Sequence, residues 1–175
     1  MTMHSRILAG AALVALVTSA GAAQGPTRLR AANFGPAAAA APDSAHIAAA
    51  LAAARVLVEN GRLREAMRSF HTVAVEQREA GDYPAEALRR LANLQYGADQ
   101  RLDAATTLDE LAEAALQFGD PATRLRALFD AAVIYQELKI KDRVPARVRQ
   151  IDQLLKSPVI DEALRSEIAS RINRG

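Results

Sequence analysis

Asn60-Gly61-Arg62-Leu63-Arg64-Glu65-Ala66-Met67-Arg68-Ser69-Phe70 is the stretch whose reading decides the fold. Asn60-Gly61 is a helix stop, because glycine enters the left-handed conformation that closes a helix at little steric cost. Beyond it, Leu63, Ala66, Met67, Phe70, Val73 and Ala74 recur at three- and four-residue spacing, the stripe of an amphipathic helix. That helix stops at Gly81-Asp82, and Pro84 opens the next where a missing N–H costs little. The helix-turn-helix unit then recurs, in three copies at a step of roughly 38 to 40 residues.

Working outward, Asp43 or Ser44 caps a first helix running to Asn60. Leu88, Leu91 and Ala92 stripe a third helix that ends near Gly97. Leu108, Leu111, Ala112, Ala115 and Phe118 mark a fourth, stopped by Gly119-Asp120-Pro121. A fifth carries Leu125, Leu128, Ala131, Ala132 and Tyr135, and a sixth Val144, Val148, Ile151, Leu154 and Leu155 before Ser157-Pro158. Ile160, Leu164, Ile168 and Ile172 give a seventh at four-residue spacing. Alternating strand-like runs are nearly absent. The expected fold is all-α, an antiparallel stack of about seven helices with short connections.

Within the copies, Ala50, Ala53-Ala54 and Leu57 precede Ala66 and Phe70. Leu88, Leu91-Ala92 and Gln95 precede Ala104 and Leu108, and Leu128, Ala131-Ala132 and Tyr135 precede Val144 and Val148. These positions resemble the tetratricopeptide repeat, whose pattern is W-x2-L-G-x2-Y, then A-x3-F, then proline. No Trp occurs, and Arg78, Leu116 and Lys156 stand where the closing proline would. The second helices run about a turn longer, like the longer-helix branch of that superfamily. The resemblance spans residues 45–155. It implies a right-handed superhelical stack of three helix pairs, closed by the last helix as a cap. It also implies that Phe70, Leu108 and Val148 bury against the following pair. A plain up-down bundle would share the short loops but not the recurrence.

The chain start reads differently. His4 and Arg6 precede the apolar run 7–17, and Thr18-Ser19-Ala20-Gly21-Ala22-Ala23 supplies the small residues a signal peptidase reads. Residues 1–23 are expected to be a signal peptide cut after Ala22 or Ala23; an uncleaved anchor is the other reading. Residues 24–43, rich in Pro, Gly and Ala, read as a disordered linker, and 44–175 as the helical repeat domain. There is no cysteine, which removes disulfides, thiolate metal sites and a lipid-modified cysteine. Export without disulfides points to a bacterial periplasm or to secretion, and 19 Arg against 3 Lys to a GC-rich genome.

Catalytic chemistry is hard to assemble from these residues. His4, His46 and His71 are the only histidines, and no metal-ligand spacing, HExxH or phosphate-binding glycine loop occurs. Asp109-Glu110 with Glu113 puts carboxylates on one helical face, the arrangement a general acid and base would use; a solvated face explains it more simply. Lys139, Lys141, Arg143, Arg147 and Arg149 form a basic run in which Arg143 and Arg147 share a face for an anionic partner. Loss of Arg6 with the leader leaves 21 basic against 20 acidic residues, too balanced for nucleic-acid binding. The reading is a non-enzyme with no cofactor and no metal.

The resemblance implies a binding surface on the concave face, lined by the first helix of each pair. Those positions are Leu51, Arg55 and Val58, then Arg89, Asn93 and Tyr96, then Arg126, Phe129, Val133 and Gln136. Arg89 with Asn93 resembles half of the clamp by which some family members hold a peptide carboxylate, although Asp130 falls where that clamp uses Asn. Arg89, Asn93, Tyr96, Arg126 and Phe129 are the candidate peptide-binding residues. The expected function is an exported, non-enzymatic scaffold or adaptor for a protein or peptide. The alternative is an assembly subunit of the cell envelope that docks or self-associates through its C-terminal helix.

Overall fold

The computed structural model describes residues 43–172, so the expected signal peptide and all of the expected linker except Asp43 lie outside the described residues. Seven helices follow in order: α1 (Ser44–Glu59), α2 (Leu63–Ala80), α3 (Ala85–Gly97), α4 (Arg101–Gln117), α5 (Pro121–Glu137), α6 (Val144–Leu155) and α7 (Glu162–Ile172). Asp43 caps α1, its carboxylate accepting from the His46 N–H at 2.6 Å. Each helix from α1 to α5 packs on its successor, and α7 touches α5. No described helix is long and apolar enough to cross a membrane.

The turns carry the recurrence. After α1, α3 and α5 the chain turns through Gly61, Asp99 and Lys139, at φ of 71°, 60° and 59°. In each turn the next N–H reaches back to the same place: Arg62 to the Leu57 carbonyl at 2.9 Å, Gln100 to Gln95 at 2.8 Å, Ile140 to Tyr135 at 2.9 Å. Gly81 and Gly119 close α2 and α4 in the same way. This double closure satisfies carbonyls that a helix end would otherwise leave open. α3 ends at Gly97, as expected, and the left-handed residue that closes its turn is Asp99. Asp99 tolerates the left-handed region; Lys139 gains nothing from it. Lys139→Gly is therefore expected to raise stability by about 0.5–1 kcal/mol in urea unfolding, and no change would place the strain elsewhere.

The third pair departs from the first two. By the earlier step α6 would start near Lys141, but it starts at Val144. Pro145 has no N–H and is accommodated only in a first turn, so the helix cannot begin earlier. Val148, expected to bury against a following pair, is 43% exposed, because α7 makes its contacts with α5; Ile151, the counterpart of Val73 and Leu111, keeps its inward place at 5%. The small residues at the pair interfaces do close the packing: Ala54, Ala92 and Ala132 are all buried.

Helices of the same parity are linked by long side chains. Arg55 of α1 donates to Glu86 of α3 at 2.9 Å, and Arg89 of α3 to the Thr123 hydroxyl of α5 at 3.0 Å. Arg126 and Asp130 of α5 pair with Glu167 and Arg171 of α7 at 3.0 and 2.5 Å. On the other side Arg78 of α2 reaches Glu110 of α4 at 3.3 Å, and Arg147 of α6 reaches Asp109 of α4 at 2.7 Å.

At the start of α5, the Asp120 carboxylate accepts from the Thr123 N–H at 2.9 Å and from the Tyr83 phenol at 3.1 Å. Burial pushes its pKa up, but the Thr123 N–H and hydroxyl and the Tyr83 phenol outweigh it, so the carboxyl titrates below its ordinary value. A depressed carboxylate stabilises the fold above the unfolded pKa of about 3.9 and loses that contribution as pH falls through the folded value. Asp120→Ala is expected to cost about 1–2 kcal/mol at pH 7, and the gap to wild type should close below about pH 3.9 in urea titrations. A gap that stays constant with pH would mean the carboxylate charge contributes nothing.

Candidate functional site

Asn93 and Tyr96 lie one turn apart on α3 and point the same way. Asp130, Val133 and Ile134 form the matching face of α5. Together with Ala92, Leu108 of α4 and Arg171 of α7 they enclose a cleft of about 410 Å³. Its floor is apolar: Ala92 is 2%, Ile134 5% and Leu108 7% exposed. Tyr96 and Val133 stand half-open on its rim, at 44% and 37% exposure. The Asn93 side chain is exposed and bonds to no other described residue, so both its donor and its acceptor face the opening. Wider depressions of about 490 and 630 Å³ occur at the α3–α4 turn and beside α2, lined largely by polar turn and helix residues.

The five candidate residues separate. Asn93 and Tyr96 line the cleft, whereas Arg89, Arg126 and Phe129 do not. Arg89 spends a donor on Thr123, and Arg126 is paired with Glu167. Phe129 is 7% exposed, with the Arg171 guanidinium 4.5 Å from its ring centre. Two residues outside the candidate set form one wall, Asp130 and Arg171, joined at 2.5 Å. A further step of 41 residues along the chain leads from Asp130 to Arg171. That distance exceeds the 38- to 40-residue step, so the repeat pattern alone does not bring the pair together.

The cleft offers a chemical division of labour. An aliphatic side chain fits the Ala92–Leu108–Ile134 floor, Tyr96 offers an aromatic face, and the Asn93 amide matches a peptide group. Arg101 sits 5.8 Å from the Tyr96 ring and steadies it.

Several of the other charged groups singled out by the sequence are engaged within the fold. Asp109 accepts from the Tyr135 phenol at 2.9 Å and from Arg147, whose guanidinium lies 4.4 Å from the Tyr135 ring centre. That hydrogen bond, outweighing burial, raises the Arg147 pKa, while burial and then the Asp109 contact raise that of Tyr135. Arg147 also donates to the Arg143 carbonyl, so the expected Arg143–Arg147 anion face is partly folded inward. Glu110 is held by Arg78. His46 lies 3.7 Å from Glu76, and His71 is exposed.

Compared with protein-family models, with curated proteins and with solved structures, the chain matches none.

Proposed function

We propose that this protein is an exported, non-enzymatic binding module that holds an extended peptide or protein segment in the α3–α5–α7 cleft. In this reading the helix pairs form a right-handed superhelix of the tetratricopeptide kind, and odd-numbered helices line its concave face. Residues 1–23 act as a cleaved signal peptide that delivers the chain to the periplasm or beyond. The observation carrying the proposal is the pairing of an apolar floor with the unbonded Asn93 amide and the half-exposed Tyr96 ring. Such a surface suits a segment that brings one aliphatic side chain and its own backbone polar groups. Arg89, Arg126 and Phe129 serve this site as a frame, through their bonds to Thr123, Glu167 and Arg171.

Assembly through the C-terminal helix finds less support, because Leu164 and Ile168 of α7 are turned into the chain's own core.

A displayed library of random peptides, selected on the protein, tests the reading. Selected peptides are expected to share an aliphatic anchor and to bind Asn93→Ala/Tyr96→Ala about tenfold or more weakly. Both side chains are exposed, so the melting temperature should stay near wild type. Selection of no consensus, or binding indifferent to the double variant, would overturn it.

A further inference from the structure

Arg55, Arg78, Arg101, Arg126 and Arg147 each reach a carboxylate of another helix. Arg64 and Arg68 of α2 reach none, and neither bonds to any other described residue. They stand four residues apart, with His71 three further on, so these side chains share one face of α2. Glu65 lies between them in sequence and feels the charge of Arg68, but both its oxygens are already bound by Arg62. Like charges one turn apart cost a helix stability, and Arg64 also sits in the first turn, where the helix dipole disfavours a cation. Stability therefore does not account for the cluster.

The cations line a depression of about 630 Å³ that runs from α2 to the α3–α4 turn, and none of its lining residues is acidic. Neutral donors complete it. The buried Thr107 hydroxyl donates to the Gln95 side-chain oxygen at 2.8 Å, which fixes that amide and leaves its NH2 to donate elsewhere. The Gln100 side chain bonds to no described residue. Beneath them Leu91 is 4% exposed, and Met67 packs against the same cluster. Donors that converge without an acid among them suit an anion. Phosphate fits better than carboxylate, since it presents more acceptor oxygens and can engage both guanidiniums at once. The space exceeds that of a lone ion, and its apolar floor accepts carbon. We propose that this depression binds a phosphate ester of a small polyol. Arg64 and Arg68 hold the phosphate, Gln95 and Gln100 the ester and hydroxyl oxygens, and Leu91 and Met67 the carbon chain. A soluble ester and a phospholipid headgroup offer the same chemistry. The depression shares no lining residue with the α3–α5–α7 cleft, so the two sites stand or fall separately.

Calorimetric titration of the full chain with glycerol phosphate at fixed ionic strength tests the site, and vesicles separate the two sources. Arg64→Gln/Arg68→Gln is expected to weaken binding about tenfold or more. Both side chains are exposed and their like charges are removed, so the melting temperature of this variant should not fall. Arg149→Gln/Lys156→Gln, the same change of charge at exposed positions on and just after α6, should leave binding intact. Succinate, a dianion without phosphate, should bind about tenfold more weakly than glycerol phosphate. In the vesicle arm the readout is the preference for phosphatidylglycerol over phosphatidylcholine, which cancels uptake through the apolar run 7–17. Binding of glycerol phosphate itself assigns a soluble ester. A vesicle preference lost in the Arg64/Arg68 variant, with no binding of glycerol phosphate, assigns a lipid headgroup. Binding of neither probe, equal binding of succinate, or equal weakening by the Arg149/Lys156 variant overturns the proposal.

Discussion

Phe70→Ala should lower the free energy of unfolding by about 3–5 kcal/mol, read from urea midpoints at unchanged slope. Phe70 is fully buried. It fills the space between α1, α2 and α3, where Ala54, Ala66 and Leu91 are buried with it and Leu51, Leu57, Met67 and Leu94 pack around them. Two of its immediate neighbours are alanines, which have no side-chain length with which to close the hole. The cost therefore belongs at the cavity-forming end of the range for such truncations. Phe70→Leu should retain more than half of the lost stability, since it restores most of the volume. A loss below about 1 kcal/mol for the alanine variant would mean that α1 and α2 collapse onto the gap.

Asp109→Ala should cost about 2–3 kcal/mol, less than the cost of breaking a fully buried pair, because water still reaches the site. The Arg147 and Asp109 side chains are 12% and 26% exposed. Removing the carboxylate leaves a nearly covered guanidinium with only the Arg143 carbonyl, and strips the Tyr135 phenol of its acceptor. The double replacement Asp109→Leu/Arg147→Met removes charge from both sides and should recover most of the stability, because the apolar pair needs no partner. If the double variant is as unstable as Asp109→Ala alone, the cluster matters through its shape and not through its charge pairing.

Much of the fold is legible along the chain because its stops are explicit. Gly61, Gly81-Asp82 and Gly119-Asp120-Pro121 end or open helices where steric rules require it, and the apolar stripes between them have one phase. Ala54, Ala92 and Ala132 announce close approach by their size. What escapes such reading has a physical cause in each case. Asp99 and Lys139 adopt the left-handed turn without being glycine, so composition hides two turns of the series. Val148 is left uncovered because the last helix packs on α5, a departure invisible to a pattern that assumes each pair is followed by another.

The cleft is legible on one wall only. Asn93 and Tyr96 lie at the edge of the α3 apolar stripe, beside Ala92 on the cleft floor, so their placement follows from helical phase. Asp130 and Arg171 come together over 41 residues of chain. The burial of Phe129 depends on that same Arg171, and no local pattern on α5 predicts which of its faces α7 will cover.

The arginine links between helices of the same parity have a mechanical consequence. Successive helices are locked by interdigitated apolar side chains, which resist deformation as a close-packed solid does. Odd-numbered helices are instead tied to one another by extended side chains ending in exposed charges, such as Arg55–Glu86 and Arg126–Glu167. Those ties behave as springs, long, individually weak and softened by dissolved salt. The molecule is therefore stiff across its pairs and compliant between them. The α5–α7 side of the cleft, tied by Arg126–Glu167 and Asp130–Arg171, is therefore where the available width responds to ionic strength, whereas the Arg89–Thr123 link of α3 to α5 involves no charge pair.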